Sequence, residues 1–357
     1  MRKMLLFGLL FFCFVGSVSA SRGSANSYIL MDMTTGRVIE GKNYNTPYLI
    51  ASITKIMTCL LAVESEKLDD IVVVDEVISK SYGSGIYIEV GEEITLRDLL
   101  YGLMLRSGND AALMVAKYVG GDVDTFVKMM NRKAKEIGMT KTIFNNPSGL
   151  DNTDQGNYST SYDMAILTRY AMEYEEYRKI VSTKSYKVKT NKKTYVWKNK
   201  NKLLQYDYIT GGKTGYTEKA RRTLVSTGSY NNIDMVVVTI RDSDDWNTHK
   251  SLYEDVFSTY KSYRVLNKNN FDVVGDTFYN GDFYIKNDIY LPLKESDTGS
   301  LVGKIKLDGK KGYKNGDKVG EYLIYLNDQY MCSEDIYIKN VSNGKKKVFS
   351  LFKENML

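Results

Sequence analysis

Apolar and polar positions alternate along this chain with two different periods, and the changes of period mark its elements. From Ser27 to Gly41 the pattern is strand, turn, strand: Tyr28-Ile29-Leu30-Met31, then Thr34-Thr35-Gly36, then Arg37-Val38-Ile39. A helix is predicted from Ser52 to about Glu66, entered through the apolar approach Tyr48-Leu49-Ile50-Ala51, with Met57, Leu60 and Leu61 as its inward stripe. Ile71-Val72-Val73-Val74 reads as a short strand. Tyr82 to Gly91, rich in Gly, Ser and Tyr, reads as a loop over a cleft. Thr95-Leu96-Arg97-Asp98 is a capping pattern for a second helix, whose inner face is Leu96, Leu99, Leu100 and Leu103. That helix stops at Ser107-Gly108-Asn109, and another runs from Asp110 to the Gly120-Gly121 stop. A polar tripeptide wedged between two apolar helices either satisfies the broken helix ends or projects into a cavity. Helices over Asp124 to Gly138 and from about Ser161 flank the turn Asn145-Asn146-Pro147-Ser148-Gly149-Leu150.

A Lys-rich hairpin (Lys184 to Lys200) precedes Gly211-Gly212-Lys213-Thr214-Gly215-Tyr216-Thr217. Thr223 to Ser229 and Met235 to Ile240 then alternate like antiparallel strands across Asn231-Asn232, and a helix from Trp246 to Tyr260 follows. This order predicts one antiparallel sheet with early and late strands side by side, helices against it and a helical cap, in a unit over 21–265. From about Phe271 the texture changes to short Val/Ile/Tyr/Leu runs between Gly-Asp, Asn-Gly and Asp-Gly turns, which predicts a small all-β domain over 270–345.

The two ends read differently. Arg2 and Lys3, an apolar run from Met4 to Val18 and the small-residue site Val18-Ser19-Ala20 make residues 1–20 a secretory signal peptide, so the mature protein is expected outside the cytoplasmic membrane. The tail, 346–357, is basic and then apolar: either a short amphipathic segment for a membrane surface or a last strand, and too short to span a bilayer.

Composition narrows the chemistry. A net charge of +6 suits an anionic setting such as a cell wall or lipid headgroups, while no Lys/Arg cluster is dense enough for nucleic acid. The single histidine, His249, argues against a Ser-His-Asp scheme and is expected to pack or cap near Trp246. Cys59 and Cys332 are too far apart in the predicted layout for a disulfide, and no metal-ligand cluster or cofactor motif is present.

The chemistry-bearing stretch is Ser52-Ile53-Thr54-Lys55. Spacing of three on a helix stacks hydroxyl and amine on one face. Serine is a poor nucleophile until a base takes its proton, and lysine is such a base when burial and cationic neighbours keep its amine neutral. Alone, the pair is short enough to arise by chance, with Ser52 a helix cap and Lys55 a solvated charge. It is followed in order by Ser107-Gly108-Asn109 and Lys213-Thr214-Gly215. That ordered trio belongs to the penicillin-recognising serine enzymes.

Together with Gly102 to Ala112, Asn146 to Asp151, Tyr158 to Met164 and Lys213 to Thr217, the trio makes the stretch Ser27–Tyr263 resemble the low-molecular-mass D-alanyl-D-alanine carboxypeptidases, the penicillin-binding proteins of peptidase family S11. The resemblance implies a β-lactamase/transpeptidase-like fold and an acyl-enzyme reaction on peptidoglycan stem peptides, with no cofactor. It implies Ser52 as nucleophile, Lys55 as base, Ser107 as proton relay to the departing D-alanine, and Asn109 as a holder of Lys55 and the substrate amide. Lys213 and Thr214 would bind the terminal carboxylate and Gly215 admit the substrate backbone, with the N–H groups of Ser52 and Tyr216 as oxyanion hole. β-Lactams would acylate Ser52. Three positions depart from the family's usual pattern: Ser148 where a histidine is common, Tyr216 after Lys-Thr-Gly, and Ala220-Arg221-Arg222 where Ala-Gly is expected. Arg221 is expected to face solvent, and Arg241 is a further carboxylate-binding candidate. A class A β-lactamase is disfavoured, since no Glu-x-x-Leu-Asn segment occurs from Asn145 to Tyr174. A transpeptidase of the same fold and a non-catalytic wall-binding relative remain the alternatives.

Overall fold

The computed structural model describes residues 24–151, 156–309 and 311–341. The expected signal peptide and the basic–apolar tail lie outside the described residues.

The first unit is built on strands β1 (Ser27–Asp32), β2 (Val38–Lys42), β3 (Ile209–Thr217), β4 (Arg221–Tyr230) and β5 (Ile233–Ile240). They form one antiparallel sheet in the order β2-β1-β5-β4-β3. Early and late strands do lie side by side, with Ser27 opposite Ile240 and Asp32 opposite Met235. Strand residues point alternately to opposite faces, so a central strand covered on both sides reads as a continuous apolar run. Ile29, Met31, Val236 and Val238 face one core. Leu30, Met235 and Val237 face the other. The β4–β5 connection is the predicted one: Asn231 and Asn232 both take left-handed φ, 50° and 60°, as a two-residue hairpin requires.

The first core holds α1 (Lys55–Glu64), α2 (Leu96–Tyr101), α3 (Asn109–Gly120), α4 (Val123–Glu136), α5 (Ser161–Ala171) and α6 (Glu175–Ser182). The expected single stripe on α1 is corrected: every residue from Lys55 to Val63 is buried. A helix apolar all round is stable only when surrounded, and each fully buried Leu or Ile contributes about 1.5–3 kcal/mol. α6 was not anticipated. Its apolar residues Tyr177, Ile180 and Val181 have helical spacing, but the segment is short and follows directly on α5. The second core holds α7 (Asp245–Thr259). Of the two roles expected for His249 near Trp246, it packs and does not cap. It is fully buried against the sheet, with Nδ1 2.6 Å from Ser226 Oγ and Nε2 3.1 Å from Thr239 Oγ1.

The second unit has its own core and comprises β6 (Lys261–Leu266), β7 (Asp282–Tyr284), β8 (Ile289–Leu293), β9 (Leu301–Leu307), β10 (Lys318–Leu326) and β11 (Gln329–Lys339). Four strands make a sheet in the order β7-β11-β10-β9, and β6 pairs with β8. Residues 261–265, expected at the end of the first unit, therefore pair with strand residues of the second. Cys59 is buried and Cys332 partly so, both as free thiols.

Candidate active site

The approach to Ser52 is held from behind. Ala51–Thr54 form a 3₁₀ turn that runs straight into α1. Residues three apart eclipse in such a turn, which lines Ser52 up with Lys55. Ala51 is in the left-handed region (φ 48°), a conformation costing a non-glycine residue about 1–2 kcal/mol. The Asn146–Leu150 turn braces it: a Cβ on Gly149 (φ 86°) would collide with the Ala51 carbonyl. Asn146 Oδ1 accepts from the N–H groups of Ser148 (3.1 Å) and Gly149 (2.7 Å). Thr58 Oγ1 donates to the Pro147 carbonyl (2.7 Å), and Asn157 Nδ2 donates to Thr54 Oγ1 and to the Asn146 carbonyl, both at 2.9 Å. On the sheet side Thr223 Oγ1 donates to the Ile50 carbonyl (3.0 Å).

The second motif enters from the opposite wall. α2 continues into a wider π-helical turn, Gly102–Arg106, which ends at Ser107 with φ 65°. Widened turns and left-handed residues free a side chain from the helix surface. α3 starts at Asn109, one residue earlier than predicted, and so carries that side chain on its first turn. Asn109 Nδ2 donates to the Tyr82 carbonyl (2.6 Å), which fixes the amide and turns Oδ1 to Lys55 Nζ at 2.8 Å. Asp110 accepts from the N–H groups of Ile86 (3.0 Å) and Tyr87 (2.7 Å) and anchors the predicted loop beside the cleft.

The third motif lies on β3, the edge strand. Lys213 Nζ donates to Ser107 Oγ (3.0 Å) and to the Thr214 carbonyl (2.7 Å). Thr214 is partly exposed, and the Tyr216 side chain is 59% exposed, so only its backbone faces the strand ladder. Gly215 stands opposite Thr223 and has a reason internal to the protein: a Cβ there would strike Thr223 Oγ1 and come within 3.0 Å of the Ser52 backbone nitrogen. Glycine thus brings β3 against the turn that carries Ser52.

Protonation follows from burial. Lys55 is fully buried, with Nζ 2.9 Å from Ser52 Oγ, 2.8 Å from Asn109 Oδ1 and 2.6 Å from the Ser148 carbonyl. Burial first, then Lys213 and Lys200, hold its ammonium far below the ordinary lysine range, against a smaller opposing effect of Asp110. Desolvating an unpaired cation costs several kcal/mol, more than three neutral acceptors return, so the neutral amine is favoured. A neutral amine has two hydrogens and one lone pair. Asn109 Oδ1 and the Ser148 carbonyl only accept, and they take the hydrogens; the lone pair is left facing the Ser52 hydroxyl. Burial, and secondarily Lys200, bring Lys213 down to about 7. An incoming carboxylate raises it again.

Ser52, Lys55, Ser107, Asn109 and Lys213 are therefore brought together. Arg241 is not joined to them: it donates to the Lys219 carbonyl (3.1 Å) and lies 5.6 Å from the centre of the Tyr48 ring. Arg221 is exposed, in the left-handed region with φ 61°, where the glycine of the usual Ala-Gly pair would fit without strain. Sequence reading did not single out Asn157 or Thr223. Their bonds run to backbone carbonyls and to Thr54, and such latches leave no mark in residue spacing.

The D-alanyl-D-alanine carboxypeptidase family model, peptidase S11, matches residues 15–244. The D-alanyl-D-alanine carboxypeptidase DacF of Bacillus subtilis (strain 168) is 34% identical over 284 residues, covering 74% of this chain and 72% of the relative. The crystal structure of a D-alanyl-D-alanine carboxypeptidase from Mycobacterium tuberculosis H37Rv superposes with a TM-score of 0.63 at 31% identity, over 66% of this chain and 92% of that one. Penicillin-binding protein 5 of Haemophilus influenzae shares the fold over 89% of this chain and 97% of its own, with a TM-score of 0.74 at 24% identity. With the three motifs meeting at one buried lysine pair and the family model covering most of the first unit, the chain belongs to the D-alanyl-D-alanine carboxypeptidases of peptidase family S11.

Proposed function

We propose that this enzyme removes the terminal D-alanine of peptidoglycan stem peptides through an acyl-enzyme on Ser52. The observation that carries the reading is Lys55 Nζ 2.9 Å from Ser52 Oγ, with two pure acceptors, Asn109 Oδ1 and the Ser148 carbonyl, placed to take both hydrogens of a neutral amine. Lys55 takes the hydroxyl proton as Ser52 Oγ bonds to the penultimate D-alanyl carbonyl carbon. The oxyanion is held by the N–H groups of Ser52 and Tyr216. The C–N bond to the last D-alanine then breaks, and its nitrogen receives a proton by way of Ser107, hydrogen-bonded to Lys213. Protonated Lys213, with three donors for two protein partners, and the Thr214 hydroxyl hold the substrate's carboxylate. Asn109 keeps Lys55 in place and meets the substrate amide, and Gly215 keeps the edge strand close enough to pair with the peptide. Water then attacks the ester carbonyl, its hydroxide staying on the shortened peptide's new carboxyl and its other proton passing through Lys55 to Ser52 Oγ as the ester bond breaks.

β-Lactams would enter as substrate mimics and stop at the ester. The signal-peptide pattern and this substrate favour action on the outer side of the cytoplasmic membrane. Among the described residues no helix is long and apolar enough to cross a membrane. Any surface contact would fall to the basic–apolar tail, with the β unit as spacer or docking module. The test is incubation with a pentapeptide ending in D-Ala-D-Ala, with and without an added amine acceptor. Release of one D-alanine with a shortened peptide supports the hydrolase. A new peptide bond to the amine, with little hydrolysis, replaces that reading with transpeptidation.

A further inference from the structure

The turn that braces Ala51 has a second grip, on the strand of the third motif. Asp151 follows Leu150 directly, and its Oδ2 accepts a hydrogen bond of 2.5 Å from Thr217 Oγ1, on the last residue of β3. The same Thr217 oxygen accepts the Ala220 N–H (3.0 Å), and the hydroxyl's one hydrogen goes to the carboxylate. Asp151 is held in turn by close packing: a Cβ on Gly156 would come within 3.0 Å of the Asp151 Cβ and would strike Leu49 Cδ2, in the approach to Ser52. At its other end the turn presses Gly149 against the Ala51 carbonyl. The two grips therefore stand one residue from each of the two N–H groups assigned above to the oxyanion, since Ala51 precedes Ser52 and Thr217 follows Tyr216. Those donors belong to different elements, a helical turn and an edge strand paired on one side alone. Thr223 also holds the Ile50 carbonyl, but it reaches there from β4, the neighbouring strand.

We propose that Asp151 is a positioning residue with Thr217 as its partner: together they yoke the end of β3 to the turn behind Ser52 and so fix the distance between the Ser52 and Tyr216 N–H groups. The inference rests on the Ser52 acylation proposed above. An oxyanion hole works because its donors are in place before the charge develops. Two donors on separate elements meet one oxygen only if something spans the elements, and the segment Asn146–Asp151 does so through Gly149 at one end and Asp151 at the other. A misplacement of about 1 Å can lower a rate about 10²-fold. Asp151 thus acts through the backbone and not on the reacting atoms. The ladder between β3 and β4 runs out to Thr217, and Arg241 holds the Lys219 carbonyl separately. Cutting the Asp151 bond therefore loosens the strand end without unmaking the hairpin.

The experiment is stopped-flow acylation by benzylpenicillin over a range of concentrations, which separates the Kd of the non-covalent complex from the limiting acylation rate. The variants are Asp151→Ala, Asp151→Asn, Thr217→Val and Thr217→Ser. The limiting rate is expected to fall at least about tenfold in Asp151→Ala and Thr217→Val, with Kd within about twofold of wild type, because an oxyanion hole acts on the transition state. Asp151→Asn keeps a carbonyl acceptor and Thr217→Ser keeps the hydroxyl, so both return to within about threefold of wild type. The double variant Asp151→Ala/Thr217→Val is no slower than the slower single one, as two halves of one bond require. The infrared stretch of the acyl-enzyme carbonyl reads the hole itself: it moves to higher frequency in the two broken variants, since weaker hydrogen bonds polarise the ester less. Thr217→Val keeps the side-chain shape and carries the same test should Asp151→Ala not fold. A folded Thr217→Val with the wild-type limiting rate and carbonyl frequency overturns the proposal, and so does a weaker Kd with the limiting rate intact. A wild type that forms no acyl-enzyme overturns the reading of Ser52 instead.

Discussion

Gly149 lies directly behind Ala51, so close that a methyl group on Gly149 would occupy the space of the Ala51 carbonyl oxygen. Ala51 precedes Ser52 and is held at φ 48°. The Asn146–Leu150 turn therefore acts as a backstop for Ser52, and it also accepts a hydrogen bond from Lys55 Nζ through the Ser148 carbonyl. Gly149→Ala adds both a left-handed penalty and a clash of backbone with side chain, together about 3 kcal/mol or more. The expected result is a lower denaturation midpoint and an acylation rate reduced at least about tenfold, measured by urea unfolding and penicillin labelling.

On the proposed mechanism, which needs Lys55 neutral and Lys213 charged, the acylation rate has a bell-shaped pH dependence. Its rising limb reports Lys55 losing a proton and sits far below the ordinary lysine range. Its falling limb reports Lys213 losing one and begins near pH 7 in the free enzyme, as kcat/KM shows it. A plateau extending to pH 10 would contradict this assignment.

Lys213 carries a stability cost for function. Its pKa falls from 10.5 to about 7 on folding, so the unfolded chain binds the proton more tightly. Stability from this residue is accordingly complete above pH 10.5 and is lost as pH falls through 7. Lys213→Met should raise the melting temperature by about 2 °C or more at pH 6, by less at pH 9, while abolishing turnover. Differential scanning fluorimetry at both pH values reads the difference.

His249 sets an acid limit by the same logic. Burial holds its imidazolium down to about 3, against 6.5 in the unfolded chain. The folded state is favoured fully above pH 6.5 and loses that contribution as pH drops toward 3. His249→Asn should flatten the decline of stability between pH 6.5 and 4, followed by urea titration at each pH.

Arg221 sits where glycine would be relaxed, at φ 61°, with its side chain in solvent. Arg221→Gly removes the left-handed penalty but loosens the unfolded chain, so the net change is a stabilisation of up to about 1 kcal/mol. Unaltered acylation is expected alongside it.

The sheet, with its early and late strands side by side, and the helical block were legible because the strand segments are short apolar runs and the Asn-Asn turn joins two of them as a hairpin. Ser52, Lys55, Ser107, Asn109 and Lys213 were legible because three short motifs recur in a fixed order. What stayed hidden has physical reasons. The full burial of α1 is a property of the helices packed around it, not of its own sequence. The start of α3 at Asn109 depends on the π-helical turn before it. The reason for Gly215 is a contact with Thr223 and Ser52, far apart in sequence. Arg241 was named as a further carboxylate-binding candidate, and only the fold shows its guanidinium bonded to the Lys219 carbonyl and lying over the Tyr48 ring.

The central claim is that Lys55, held neutral, turns Ser52 into the nucleophile. Its most direct measurement is peptide mapping by mass spectrometry after brief exposure to benzylpenicillin, for wild type, Ser52→Ala and Lys55→Met. The account predicts a penicilloyl adduct on Ser52 in wild type, none in Ser52→Ala, and formation slowed by about 10²-fold or more in Lys55→Met despite intact folding. An adduct on another residue, or an adduct on Ser52 that forms as fast without Lys55, would contradict it.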